Sequence, residues 1–489
     1  MLTNSNELEF MYGNHDIKNV AIRFGVIGAG QKGNKVADIF AGYKFSDGTP
    51  CYPTLAVNLS KTDMVHLQNI DEQDRIHFDG LQGAARTPSI VLETFNPNTN
   101  PYAEQQMNKL TEAISRKFID EQGNLIIDHI LLDLGAGGGV GTGFGSLVLQ
   151  LIKDNFFPVP ITMMVSLPDD NPEELNNALL LANEINEFFK IQNNSYDSLE
   201  TKPLANAILC YNPQMEKMVK AQKGSRDFKN THMNWQKVSN DYVASLIHEI
   251  NIIPANFGSN LVSYDASDFQ KLFTISGRFL TVGKARIKKQ DLNELETAIK
   301  KSLDDSYLSC GHKFNTAKTF ANILLHPSDA DFFQDVETTN RVTKVLSSYK
   351  NIKELSGKTG DPIWNSDYAV NYTIFGGMTL PEIIGELSIK AKELNEKMRY
   401  QDEEEESVDI SFLQNSNTSQ FNPFSKVVQN KFGQGTHTSA FARNTPNTQN
   451  QTPTEQQPKP TFGSKKVGFG KATPTTINSG AFGNGFGKK

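Results

Sequence analysis

Nine residues, Gly135-Ala136-Gly137-Gly138-Gly139-Val140-Gly141-Thr142-Gly143, hold six glycines. They follow directly on the apolar run HILLDL, so the chain passes from a buried strand into a turn. There, successive positions can take φ > 0 and approach a ligand closely, forming a nest of N–H donors suited to a polyphosphate. A second cluster, Gly28-Ala29-Gly30-Gln31-Lys32-Gly33-Asn34, also ends an apolar run and opens a helix, whose N–H groups and positive end can meet a phosphate. Alone, this cluster satisfies the G-x-G-x-x-G pattern of dinucleotide sites. Such a site places an acid for the ribose about 20 residues further on, at the end of the next strand. Here that strand ends Asn58-Leu59-Ser60, and no acid appears until Asp63. Further along, Asp265-Ala266-Ser267-Asp268 precedes Phe-Gln-Lys-Leu, a pattern that caps a helix and also presents two carboxylates together.

These groups need a scaffold, and the intervening text supplies one. AIRFGVIG, TLAVNLS, HILLDLG, PITMMVSLP and NAILCYN read as buried strands, separated by helical patterns such as Tyr102 to Ile119 and LNNALLLANEINEFF. Strands alternating with helices imply a mostly parallel sheet covered on both faces. Trp235 to Ile250 carries apolar residues at helical spacing and reads as a central connecting helix. The segments FLTVGKARI and YTIFGGM predict a second α/β unit, and a last helix runs from Pro381 to about Arg399. The predicted boundaries are 1–20 for an N-terminal arm or helix, 21–234 and 252–379 for the two α/β domains and 235–251 for the central helix. Residues 380–402 form the C-terminal helix and 403–489 a disordered basic tail.

The net charge of −7 averages two unlike parts. From Ser407 to Lys489 nine Lys and Arg face two acids, a net of +7, leaving 39 basic and 53 acidic residues before it, a net of −14. The tail is poor in aliphatics and cannot bury enough apolar area to offset chain entropy. It repeats Phe-Gly beside lysine or glycine, as in KFGQG, TFGSKK and GFGKK, a pattern for multivalent and individually weak contacts with an anionic partner. Cys51, Cys210 and Cys310 are widely spaced, which argues for buried thiols and against a disulfide framework or zinc site. No run approaches the roughly 18 apolar residues of a membrane span, and the N-terminus MLTNSNELEF does not read as a signal peptide. The expectation is a cytoplasmic protein with no membrane partner.

Gly135 to Gly143 resembles the G-x-G-G-G-T-G-T-G signature of the tubulin/FtsZ superfamily, and Gly30-Gln31-Lys32-Gly33-Asn34 is similar to its first phosphate loop, G-Q-x-G-N. Gln82-Gly83-Ala84-Ala85-Arg86-Thr87-Pro88 resembles the γ-phosphate loop, most closely that of the plasmid- and phage-borne segregation tubulins called TubZ. Ser239-Asn240-Asp241-Tyr242, His248-Glu249-Ile250-Asn251 and the Phe-Gly lysine tail are also TubZ-like. The resemblance spans Ile22 to the last helix and returns in the tail. It implies a tubulin-like α/β fold: a parallel-sheet nucleotide-binding domain joined by a central helix to a smaller activation domain, with a disordered tail.

What the resemblance implies for the site follows position by position. Gly30, Gln31, Lys32 and Asn34 meet the α- and β-phosphates, Gln31 reaching the water shell of a metal. Ala84, Ala85 and Arg86 sense the γ-phosphate, and Gly138, Gly139, Val140, Gly141 and Thr142 wrap the phosphates. Asp170 and Glu173 are candidates for the ribose, the family's arginine in this loop being missing. Asn212 and Asn240 face the guanine edge, with Trp235 or Gln236 near the ring. Asp265 and Asp268, in a match to the family's N-x-D-x-x-D with Ser263 in place of Asn, polarise the attacking water in the neighbouring subunit's site. The implied cofactors are GTP or GDP with Mg²⁺. Val140 stands where the signature has Thr and removes a hydroxyl for which Thr142 or Gln31 compensates, so binding survives and the hydrolysis rate departs from the family's norm. The implied activity is assembly-activated GTP hydrolysis in a head-to-tail filament. The implied partners are further copies of the chain and, through the tail, a DNA-binding adaptor on centromere-like plasmid or phage DNA. The alternatives are an FtsZ-type division GTPase, whose tail and γ-phosphate loop differ, and a nicotinamide-dependent oxidoreductase, which explains only the first glycine cluster.

Overall fold

The computed structural model describes residues 17–79, 83–197, 200–222, 234–257, 265–288, 292–327, 336–349, 356–361 and 368–406. The expectations for Gln82, Ser263, the N-terminal arm before Ile17 and the tail from Ser407 fall outside these residues. The architecture below is that of the first of two compact units, Met1–Gln401; the second is Asp402–Lys489.

In chain order the elements are β1 (Phe24–Ala29), α1 (Gly30–Gly42), β2 (Thr54–Asn58), β3 (Arg75–His77), α2 (Ser89–Thr94), α3 (Ala103–Phe118), β4 (His129–Gly135) and α4 (Gly139–Lys153). They continue with β5 (Ile161–Leu167), α5 (Pro172–Ser195), β6 (Leu204–Tyr211), α6 (Asn212–Gln222) and α7 (Trp235–Asn256). After α7 come α8 (Ala266–Ile275), β7 (Arg278–Lys288), α9 (Leu292–Asp304), β8 (Thr319–Pro327), α10 (Val336–Ser347), β9 (Ser356–Asp361), β10 (Tyr368–Met378) and α11 (Glu382–Glu406).

Among the described residues the strands form one sheet of order β3-β2-β1-β4-β5-β6-β7-β10-β8-β9. Every pairing from β3 to β7 is parallel; β7–β10 and β10–β8 are antiparallel, and β8–β9 returns to parallel. β1 and β5 are buried along their whole length, which is why they read as continuous apolar runs. Alternate side chains then serve opposite faces. Ile27, Leu132 and Met163 pack on one side with residues of α3, α4 and α5, and Val26, Leu131 and Met164 on the other with residues of α1, α7 and α8.

Caps fix the helices that matter to the site. Asn171 caps α5 by accepting from Glu174 N at 3.1 Å, with Pro172 at the first helical position and acids in the first turn. Asn234 caps α7 by accepting from Gln236 N at 3.0 Å. α7 runs six residues past Ile250, through Pro254 to Asn256. The three cysteines are buried free thiols. Among the described residues no helix is long and apolar enough to cross a membrane.

Candidate functional site: a cavity closed by two glycine loops

A cavity of about 570 Å³ lies beyond the carboxyl ends of β1, β4, β5 and β6, the position where open parallel sheets bind ligands. Gly30, Gln31 and Lys32 line one side of it, and Gly135 and Gly137 to Gly141 line another. The two loops touch: a Cβ on Gly30, whose φ is +72°, would lie 3.1 Å from Gly141 N. The long glycine cluster departs from expectation in its backbone. None of Gly135 to Gly143 has positive φ. These glycines serve close approach instead. A Cβ on Gly141 would fall 2.3 Å from Gly135 O, and one on Gly139 would fall 2.6 Å from Thr87 N.

Gly83, Ala84 and Ala85 form a third wall. The backbone here is left-handed at Gly83 (φ +115°), Ala85 (+41°) and Arg86 (+64°), a strain that non-glycine residues hold only where surrounding structure imposes it. Part of that structure is Asn177, whose Nδ2 donates to Arg86 O at 2.7 Å and to Gly137 O at 3.1 Å, tying the third wall to the second. The Arg86 side chain is not among the lining groups. Its guanidinium lies 3.1 Å from Glu174 Oε1 and 3.7 Å from Glu173 Oε2, at the start of α5.

Several expected residues sit elsewhere than the sequence reading placed them. Asn34 is fully buried and donates to Val57 O at 3.3 Å, so it braces α1 against β2 and does not line the cavity. Thr142 is also fully buried, and its hydroxyl donates to Ala136 O at 2.5 Å. It therefore does not replace the hydroxyl absent at Val140, a lining residue that also packs against the core. Asp170 and Glu173 do not line the cavity; in this segment the lining acids are Asp169 and Glu174, one residue before and one after. Asp169 is also held from α11, by Lys390 Nζ at 2.8 Å to its carbonyl and 3.2 Å to its carboxylate. Asn212, Trp235 and Gln236 line the far end, whereas Asn240 is 7% exposed and is not a lining residue.

Behind Lys32 the geometry holds a charge that the sequence reading did not foresee. Lys32 Nζ lies 2.8 Å from Asp133 Oδ1, on a carboxylate with no exposure. Burial raises the Asp133 pKa from its usual value to about 6, opposed by the Lys32 charge and hydrogen bond. Lys32 thus stands between a buried carboxylate and the cavity. Sequence reasoning also passed over Asn58, at the end of β2, and Ser60 and Asp63 just beyond it, all of which line the cavity. Asn58 Nδ2 donates to Asp63 Oδ2 at 3.3 Å. The available signal was the very acid that came too late for a dinucleotide fingerprint.

Asp265 and Asp268 do not line this cavity. Asp265 is the N-cap of α8, accepting from Asp268 N at 2.9 Å and from Ser267 Oγ at 2.9 Å. The Asp268 N–H bond and the Ser267 hydroxyl hold its carboxyl below the usual range, so it is ionised at neutral pH.

Comparison with known proteins places this geometry. Residues 249–388 match the family described as tubulin/FtsZ-like protein TubZ-like, C-terminal domain. The tubulin-like protein TubZ of Bacillus thuringiensis subsp. israelensis is 53% identical over 469 residues, covering 92% of this chain and 96% of its own. A crystal structure of a GTPγS-form protofilament of Bacillus thuringiensis serovar israelensis TubZ has 55% identity and a TM-score of 0.78, covering 82% of this chain and 99% of that one. A structure described as type III plasmid segregation TubZ has 53% identity and a TM-score of 0.75, covering 81% of this chain and 99% of that one. With both the fold and most of its length shared, the chain belongs to the TubZ family of tubulin/FtsZ-like proteins.

Proposed function

We propose that this chain binds GTP in the cavity, polymerises head to tail, and hydrolyses GTP where one copy meets the next. The observation that carries the reading is the closure of two glycine loops on one cavity, in a chain 53% identical to a TubZ protein. Backbone N–H groups of Gly138 to Gly141 and of the α1 start cradle the phosphates, with Lys32 adding charge. Asp169 and Glu174 face the ribose, and Asn212, Gln236 and Trp235 the base. On this reading residues 21–234 bind nucleotide, 235–251 connect, 252–379 activate the neighbour, and 380–402 pack as the last helix.

A magnesium ion prefers oxygen ligands and is commonly held by one or two carboxylates together with substrate phosphates. Asp63 offers one braced carboxylate at the cavity and Gln31 an amide oxygen, which fits such an ion. Among the described residues no group of three acidic, histidine or cysteine side chains could hold a metal alone. The ion would supply charge compensation on the phosphates. Asp265 and Asp268, which do not line their own chain's cavity, act in this reading on a neighbour's, where their carboxylates orient the attacking water.

The basic tail, 403–489, recruits the filament in the cytoplasm to a DNA-binding adaptor on plasmid or phage DNA, which is then segregated or positioned. Sedimentation and electron microscopy with GTP and Mg²⁺ test assembly, and phosphate release measured against protein concentration tests the shared site. Turnover per subunit that rises with concentration and coincides with filaments supports the reading. Concentration-independent turnover, or no guanine nucleotide binding, rejects it. A chain ending at Glu406 is expected to polymerise but to lose adaptor–DNA recruitment in a pull-down. Undiminished recruitment rejects the tail's role.

A further inference from the structure

β6 and β7 pair only at Asn206 with Arg278 and Ala207 with Phe279, near the amino end of β6. Towards the cavity the strands part, and the segment 305–310 fills the fork. Tyr211 N donates to Tyr307 O at 3.1 Å, Cys310 Sγ to Leu209 O at 3.6 Å, and Thr281 Oγ1 to Leu308 O at 3.0 Å. At the tip of this wedge the Tyr307 side chain is fully buried. Its phenol oxygen accepts from Ser239 Oγ at 2.6 Å, and its hydrogen goes to Asn212 Oδ1 at 3.0 Å. Ser239 stands one turn along α7 from Gln236, and Asn212 opens α6; Gln236 and Asn212 both line the cavity. The edge of Tyr242 rests on the same ring, centroids 6.3 Å apart at 72°. Desolvation raises the phenol well above its ordinary range, so it keeps its proton at neutral pH.

A phenol has one hydrogen to give. Because Ser239 donates to its oxygen, that hydrogen is committed to Asn212, and the amide is held by its oxygen. The Nδ2 donor is then the end left for the cavity. We propose that Tyr307 is a specificity-determining positioning residue, which locks the Asn212 amide with its donor towards the base. The site then takes a 6-oxopurine, which offers an acceptor, and rejects a 6-aminopurine, which brings a second donor. The proposal rests on the reading of the cavity as a nucleotide site. It makes base selection depend on a residue 95 positions from the amide it orients. A site built to hydrogen-bond one pattern discriminates strongly because the wrong base leaves buried polar groups unpaired.

The test is competition of GDP, IDP and ADP against fluorescent GDP on the full chain and on Tyr307→Phe. Loss of the phenol hydrogen is expected to weaken GDP and IDP together by about tenfold while ADP stays level, so the GDP-to-ADP preference falls about tenfold. An equal shift for all three nucleotides, or no shift, overturns the role of Tyr307. Asn212→Asp provides the second reading, because it keeps the Tyr307 bond but presents only acceptors. Its preference is expected to move towards ADP, and an undiminished GDP preference overturns the proposal even where Tyr307→Phe fails to fold. If the unaltered chain shows no preference for GDP over ADP, the nucleotide reading itself falls, and this inference with it.

Discussion

The two ends of the parallel sheet are built by opposite means. At the carboxyl ends of β1 and β4, main chain meets main chain: Gly141 lies against Gly135 and Gly139 against Thr87, and one ion pair, Lys32 with Asp133, stands behind them. At the amino ends of β4, β5 and β6, buried side chains make the joints. His129 Nε2 and Thr162 Oγ1 share a 2.8 Å hydrogen bond; Asn206 Nδ2 donates to Thr162 Oγ1 at 3.2 Å and to Phe273 O at 2.6 Å, and Ser276 Oγ donates to Asn206 Oδ1. All four side chains are fully buried. Phe273 lies in the last turn of α8, whose N-cap is Asp265. The carboxyl end is therefore shaped to admit an anion, and the amino end to hold still the helix that carries the acids. β4 joins the two, with the glycine loop at one end and His129 at the other.

The comparison breaks most readily at the glycines. In Gly139→Ala the added methyl would meet Thr87 N at 2.6 Å and Ala84 Cβ at 2.8 Å. Overpacking of about 1–3 kcal/mol is expected to weaken GTP binding by about 10- to 100-fold in a titration. The melting temperature of the nucleotide-free chain should fall as well, since the Gly83–Arg86 wall, tied to Gly137 through Asn177, must shift to admit the methyl. Asn206→Leu attacks the other end. It leaves Phe273 O and Ser276 without their partner, a cost of about 1–3 kcal/mol to be read in urea unfolding. GTP affinity should persist while filament-dependent turnover falls. Equal losses of binding and turnover would erase the distinction between the two ends.

Smaller effects sharpen it. Val140→Thr places a hydroxyl at a cavity wall where Thr142 supplies none. One net hydrogen bond of about 1 kcal/mol is expected to change turnover by roughly fivefold, measured as phosphate release, with GDP affinity unaltered. The least effect at neutral pH, and the most diagnostic in acid, comes from the two ionisable groups of β4. Burial lowers the His129 pKa to about 3, so the unfolded chain takes up a proton below 6.5 that the folded chain refuses. Stability from this group is complete above about 6.5 and is lost as pH falls towards 3. Asp133, raised from 3.8 to about 6, does the reverse: between those values the folded chain binds the extra proton, and stability falls as pH rises. Chemical unfolding from pH 4 to 7 is therefore expected to show a steeper rise with pH in Asp133→Asn and a shallower one in His129→Gln. Parallel curves for the two variants would contradict it.

The strands were legible because parallel strands buried on both faces leave unbroken apolar runs, as in FGVIGA and ITMMVSL. The glycine loops were legible because few backbones need so many glycines. Their conformation was not, since composition cannot tell close approach from positive φ. Asp169 and Glu174, each one residue from the expected Asp170 and Glu173, line the cavity on either side of the Asn171 cap, a register that composition does not reveal. The contact of the Thr142 hydroxyl was not legible, because it turns back past the start of α4 to Ala136 O in the loop, six residues earlier. Lys32 with Asp133 and Asn212 with Tyr307 were invisible to any local pattern, being 101 and 95 residues apart.

The central claim is that each active site is assembled from two copies. Two disabled chains test it: Gly139→Val, which forces the Ala84–Thr87 wall away from the glycine loop and keeps the acids, and Asp265→Asn with Asp268→Asn, which keeps the cavity and loses the acids. Each is assayed alone for phosphate release and then mixed with the Gly139→Val chain in excess. The account predicts turnover in the mixture that neither chain shows by itself. A mixture as inactive as its components, or an acid-free chain that hydrolyses GTP at the unaltered rate, would contradict it.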